Sequence, residues 1–238
     1  MRPFLFHEVF DINDRLNLRR EMAGDAQIVV ADDVLRHPTL ARDIAATSPA
    51  TNWKHVPGGR NFLDYHDCRL RYPVAPPNRL IGVACDIIEQ AWSIRVQPFA
   101  PSVDVNWFTQ ITTRSADYAH PHHDLFQAHA THSFTCLVYL NNAAESSGGT
   151  AFFRYRPSGS PVRDPIYDRD VESGSRIVEN GFSYWPDRPE EFWEKTGHLD
   201  MAPGRMMIFP SQFYHAAWHP EDAFFDSPRM TLVFWVGI

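Results

Sequence analysis

The stretch Ser133–Asn141, SFTCLVYLN, decides how this chain reads. Its β-branched and aromatic residues run on without a charge, as in a strand covered on both faces. A turn, AESSGG (144–149), follows, and TAFFRY (150–155) is a second strand. GRMMIFP (204–210) and RMTLVFWVGI (229–238) repeat the pattern further on, and residues 94–114 carry β-branched and aromatic residues with short breaks. The C-terminal half therefore reads as at least five strands joined by turns, the composition of a sandwich or barrel.

Upstream the texture differs. AQIVVA (26–31) reads as a short buried strand, and Pro38 suits the first turn of a helix over 39–46. Residues 53–76 read as loop and edge strand. In PPNRLIGVACDIIEQAW (76–92), Leu80, Ala84, Ile87, Ile88 and Ala91 recur at helical spacing. The fold class expected is α+β, a single domain over 1–238. A mixed, helical N-terminal support (1–93) precedes a β core (94–238), and a proline-rich insertion at 154–197 interrupts that core. Insertions of such length are often lids or binding loops.

The net charge of −7 and the lack of any long basic run argue against a nucleic-acid surface. No run approaches the ~18 apolar residues of a membrane span. Three cysteines without a Cys-x-x-Cys pair fit a reducing compartment, so a cytoplasmic protein is expected. A small-molecule substrate is the expected partner, with a homodimer left open.

Just ahead of the deciding strand, HPHHDLFQAHATHS (120–133) holds five histidines and an aspartate. In extended backbone, side chains two apart point the same way, so His122 and Asp124 can grip one ion. Imidazole and carboxylate together suit a divalent first-row metal without a thiolate. His215, in FPSQFYHAAWH, follows a strand and is a candidate third ligand, with His219 its rival. Two histidines and one carboxylate leave three positions free on the metal, the arrangement of non-haem iron(II) oxygenases. A second H-x-D, His198-Leu199-Asp200, leads into a Pro-Gly turn and reads as polar strand-end residues. His120, His123, His129 and His132 read as solvent-facing or hydrogen-bonded side chains.

Five segments stand in an order that resembles the Fe(II)/2-oxoglutarate-dependent oxygenases, in their prolyl 4-hydroxylase-like branch. They are HHD (122–124), TCLVYLN (135–141), GGTAFF (148–153), PGRMMIFPSQFYH (203–215) and PRMTLVFW (228–235). The resemblance implies a double-stranded β-helix, a jelly-roll or cupin-like barrel, braced by N-terminal helices. It implies Fe(II) on His122, Asp124 and His215, the spacing favouring His215 over His219. It further implies 2-oxoglutarate as cosubstrate, its far carboxylate on Arg229 with Thr231 and Tyr139 nearby, and O2 as oxidant. A guanidinium fork meets a carboxylate with two parallel bonds, which favours arginine for that task. Without the resemblance, Arg229 reads as a strand cap paired with Asp226 or Glu221, and Tyr139 as core.

The chain departs from the family at Thr112, where relatives often carry tyrosine, and in the longer gap from His215 to Arg229, filled by HPEDAFFDSP. The implied reaction hydroxylates an unactivated carbon of a small molecule, an amino acid or biosynthetic intermediate, and releases succinate and CO2. Desaturation or ring closure belongs to the same chemistry. Related halogenases replace the metal's carboxylate with a small residue, and Asp124 fills that place here. The alternatives are a peptidyl side-chain hydroxylase, a cupin-type enzyme without 2-oxoglutarate, and a non-catalytic metal-binding barrel module. Arg154, Arg156 and Trp185 are candidate substrate contacts, and the same insertion reads equally as a solvated loop with its own apolar cluster.

Overall fold

The structure, a computed structural model, describes residues 10–47, 53–55, 68–71, 78–98, 107–111, 121–124, 132–172, 177–179, 182–184, 189–220 and 229–238. It is mostly β. The chain starts with a hairpin, β1 (Asn17–Ala23) and β2 (Ala26–Asp32), followed by helix α1 (Pro38–Thr47). Short strands β3 (Trp53–His55) and β4 (Cys68–Arg71) precede helix α2 (Asn78–Trp92), then β5 (Gln97–Pro98), β6 (Trp107–Ile111), β7 (Ser133–Tyr139) and β8 (Gly149–Tyr155). Helix α3 (Pro165–Glu172), the hairpin β9 (Ile177–Glu179) and β10 (Phe182–Tyr184), and the short helix α4 (Pro189–Phe192) lead to β11 (Trp193–Asp200). The chain ends in β12 (Met206–Pro210), β13 (His215–Trp218) and β14 (Arg229–Gly237).

Two antiparallel sheets face each other. The larger runs β1-β2-β12-β7-β14-β6-β4-β3, with β5 also on β14, and the smaller runs β11-β8-β13. Neither closes into a barrel among the described residues. From β6 onward the chain alternates between sheets: β7 in the large one, β8 and β11 in the small one, β12 large, β13 small, β14 large.

The deciding stretch becomes β7, and every residue of it is buried. The cause is the coverage of both faces. Phe134, Cys136 and Val138 point outward into a core shared with Leu80, Ala84 and Ile88 of α2. These helix positions form one apolar stripe at i, i+4, i+8. The alternate residues, Thr135, Leu137 and Tyr139, point into the space between the sheets. Phe152 of the small sheet meets Phe209 of the large one there, edge to face at 5.1 Å between ring centroids.

The structure departs from the sequence reading in two places. Residues 1–93 supply strands β1 to β4 to the large sheet besides two helices, so the support is a sheet extension as much as a helical brace. β1 escapes a sequence reading because NLRREMA is an exposed edge strand with no hydrophobic run. The insertion is also narrower than 154–197, because Trp193–Asp200 is a full strand paired along β8. Its alternating polar residues belong to a half-exposed edge, which looks like loop in composition. Among the described residues no helix is long and apolar enough to cross a membrane.

The two sheets also meet at a corner with no room for a side chain. Gly24, at φ +64, opens the two-residue turn between β1 and β2, where a left-handed first residue suits the hairpin twist. A Cβ on Gly197 of β11 would lie 2.2 Å from the Gly24 backbone nitrogen. Gly197→Ala is therefore expected to lower stability by about 1–3 kcal/mol in denaturant melts, the usual cost of overpacking. Gly82→Ala, in α2 with nothing within 4 Å of its Cβ, should instead stabilise by about 0.5–1 kcal/mol.

Candidate metal centre and anion site

His122 and His215 lie far apart in sequence but directly opposite in space. Their backbones exchange both hydrogen bonds, His122 N–H to His215 O at 3.0 Å and His215 N–H to His122 O at 2.8 Å. Opposed residues of an antiparallel pair project to the same face. Two residues on, Asp124 shares that face and donates its N–H to the Ser211 carbonyl at 2.9 Å. The side chains converge: His215 Nε2 is 3.4 Å from Asp124 Oδ2, and His122 Nε2 is 3.7 Å from Asp124 Oδ1. One donor atom from each lies within 4.8 Å of the others, and no other such group of three occurs among the described residues.

The surroundings prepare these donors. His215 Nδ1 lies 3.0 Å from the Phe213 carbonyl, which only accepts, so the ring hydrogen sits on Nδ1. The Nε2 on the other side of the ring faces Asp124. Phe209 packs edge-on against the His215 ring at 4.7 Å and fixes its plane. Burial pushes the Asp124 carboxyl upward, but His215, then His122 and the Trp235 indole, together hold it below the usual carboxylate range. The triad thus presents an anion and two imidazoles to one point, which suits a divalent cation.

Further along the same inner face lies a second polar group. Arg229 is buried at 3% exposure among apolar neighbours on β14. Its Nη2 donates to Thr150 Oγ1 at 3.1 Å, and its Nε has no partner among the described residues. Thr150 Oγ1 also lies 2.8 Å from the Tyr139 hydroxyl, and the guanidinium sits 5.4 Å from the Tyr139 ring centroid. Burial pushes the Tyr139 phenol up, and Arg229 pulls it back only in part, so the hydroxyl stays protonated. Thr231 Oγ1 is buried beside this group without a partner among the described residues. No carboxylate among the described residues answers the Arg229 charge.

A protein-family profile described as "Family of unknown function (DUF6445)" matches residues 13–231, nearly the whole chain. The chain belongs to the DUF6445 family. No curated protein matches it. Among solved structures, this DUF6445 chain is similar to a prolyl-4-hydroxylase from Pseudomonas putida, at 12% identity and a TM-score of 0.43, over 84% of each chain. It is also similar to AviO1 from Streptomyces viridochromogenes Tue57, at 12% identity and a TM-score of 0.45, over 84% of this chain and 79% of that one. A third is an N-substituted L-amino acid dioxygenase from Burkholderia ambifaria AMMD, at 12% identity and a TM-score of 0.38, over 87% of this chain and 81% of that one.

The other expected site residues of this DUF6445 member fall elsewhere. Arg154 forms a two-point ion pair with Asp25 at 2.7 and 2.6 Å, at the end of β8 away from Thr150. Asp25 thus answers its charge. Arg156 is exposed and donates to the Trp193 carbonyl at 3.1 Å, beyond the inner face. Trp185 lies outside the described residues, as do Thr112, His120 and His129. The described part of the insertion packs Tyr167 against Tyr155, Trp193 and Tyr214 on the outer face of the small sheet. His123 joins that cluster, 5.6 Å from the Tyr167 ring, and His132 is exposed. His198 and Asp200 approach to 3.5 Å on the opposite face of β11 from Leu199, and His198 stacks on Trp218. His219 bonds the Pro220 carbonyl away from the triad.

Four residues of the site escape the sequence reading: Thr135 and Trp235 beside Asp124, Ser211 behind them, and Thr150 between Tyr139 and Arg229. A signal for one of them exists. A hydroxyl on a strand buried on both faces must find a polar partner, and Thr135 stands in such a strand.

Proposed function

We propose that this DUF6445 protein is a non-haem Fe(II)/2-oxoglutarate-dependent oxygenase that hydroxylates an unactivated carbon. The observation that carries the reading is Arg229, a buried guanidinium with no acid to meet it among the described residues, on the inner face that leads to the triad. An unanswered charge in the interior costs several kcal/mol. A site built for a small dianion explains why it persists. The unpartnered Nε and the Thr231 hydroxyl supply two donors, and Thr150 and Tyr139 steady the fork.

His122, Asp124 and His215 would hold the iron, their donor set being the two-histidine, one-carboxylate face that leaves positions free. Bound iron with 2-oxoglutarate and O2 supplies an oxidant strong enough for unactivated carbon, releasing succinate and CO2. The chain's own work is positional. Arg229 would hold the far carboxylate, a group its planar fork suits. Leu137 and Val233, paired across β7 and β14 between the two polar groups, form an apolar floor that excludes water. Asp124 stays ionised among its neighbours, which gives the metal a fixed anionic ligand.

The strand order supports the matching fold reading, a double-stranded β-helix. β6, β14, β7 and β12 lie side by side in one sheet. β11, β8, β13 and the bridged segment at His122 face them in the other.

The test is anaerobic addition of Fe(II) and 2-oxoglutarate to the purified chain. A weak visible charge-transfer band is expected, followed by succinate once O2 enters. A protein giving neither would be a binding module and not an oxygenase. Succinate formation that survives loss of the Arg229 side chain would point to a different cosubstrate site.

A further inference from the structure

The two oxygens of Asp124 are not equivalent. Oδ1 lies 3.7 Å from His122 Nε2, while Oδ2 lies 3.4 Å from His215 Nε2 and accepts the hydrogen of Thr135 Oγ1 at 2.9 Å. Thr135 Oγ1 is in turn 3.0 Å from Ser211 Oγ. All three residues are buried, Asp124 at 7%, Thr135 at 1% and Ser211 at 0% exposure. An ionised carboxylate only accepts hydrogen bonds, and a threonine hydroxyl has one hydrogen to give. That hydrogen must go to Asp124. The Thr135 oxygen can then only accept from Ser211. The chain of donors runs one way, Ser211 to Thr135 to Asp124.

The backbone reinforces it. The Ser211 carbonyl accepts the Asp124 N–H, and the Ser211 N–H donates to the Ser133 carbonyl, each at 2.9 Å. Asp124 is thus held through its main chain by Ser211, just past β12, and through its side chain by Thr135 of β7. Trp235, the cross-strand partner of Thr135, closes the other side.

We propose that Thr135 and Ser211 are positioning residues that hold Asp124 as a one-oxygen ligand, with Oδ2 engaged by the protein and Oδ1 left for the metal. A carboxylate free to rotate can bind a metal through both oxygens and fill a position that a co-ligand needs. The inference rests on reading His122, Asp124 and His215 as a metal centre, and does not depend on 2-oxoglutarate. Partners of this kind, one bond behind a ligand, commonly set metal affinity by about 10–100-fold.

The test is titration of the full chain with Co(II), followed by its visible d–d absorption. Thr135→Val keeps the shape and removes the hydroxyl. It is expected to weaken Co(II) binding by about 10–100-fold and to change the band shape. Thr135→Ser should restore both. Ser211→Ala should fall between, because Thr135 keeps its own hydrogen bond to Asp124. Wild-type affinity and spectrum in Thr135→Val would overturn the proposal, as would equal impairment in Thr135→Ser, which would trace the effect to the methyl group. If Thr135→Val does not fold, an unchanged affinity in Ser211→Ala overturns it instead. Absence of any Co(II) binding by the wild type would overturn the metal centre itself, and this proposal with it.

Discussion

Arg229→Met is expected to raise the melting temperature of the ligand-free protein while removing its response to 2-oxoglutarate. Both effects follow from the burial of a cation with no acid among the described residues. Replacing a buried ionic group with an apolar side chain of similar length commonly stabilises by about 1–4 kcal/mol. Each kcal/mol corresponds to about 2–4 °C for a chain of this size. The same substitution removes one side of a buried charge pair with the ligand, which costs about 2–5 kcal/mol of affinity. That is about 30-fold to several-thousand-fold in the 2-oxoglutarate dissociation constant. Metal affinity should not change, because Arg229 touches none of the three ligand side chains. Thermal melts with and without 2-oxoglutarate, beside a metal titration, check all three statements. A fall in the ligand-free melting temperature would mean that Arg229 serves the fold, and the anion site would have to be given up.

Asp124→Asn should have the opposite signature. It keeps the volume and leaves an oxygen to accept from Thr135, so the ligand-free melting temperature should move by a few degrees at most. The loss of the anionic donor should weaken metal binding by more than the ~100-fold that removal of an outer partner costs. Succinate formation should drop to background. His215→Ala should lose metal and turnover in the same way. Calorimetric metal titration and an O2-dependent succinate assay measure the effect. Large unfolding in both variants, with the backbone bridge between His122 and His215 gone, would show the triad to be chiefly a structural clasp.

Much of this architecture is legible in the amino-acid sequence. The runs at 133–141 and 229–238 are apolar on both faces, and only a strand between two layers needs that. The helix at 78–92 carries its stripe at helical spacing. His122 and Asp124 must share a face if their segment is extended. Arg229 stands out because a cation inside RMTLVFW needs an anionic partner; Asp226 and Glu221, the local candidates, lie outside the described residues. β11 is not legible: WEKTGHLD alternates as a half-exposed strand does, and its charges and glycine read as loop. The ion pair of Arg154 is not legible either. A free cation and one clasped by an aspartate 129 residues away look the same in sequence.

The sequence by itself determined the strand runs of the C-terminal half, the helix at 78–92 and the residue types able to hold a metal. These depend on local periodicity and on the cost of burying charge, and both act through neighbours along the chain. Only the tertiary structure decided which hydroxyls serve the site. Thr135 reaches Ser211 across 76 residues, and Thr150 reaches Arg229 across 79. The first forms beside the paired strands β7 and β12 and the second where β8 and β14 of opposite sheets meet, and the register of both is set by the packing of the whole inner face, not by the residues that use it.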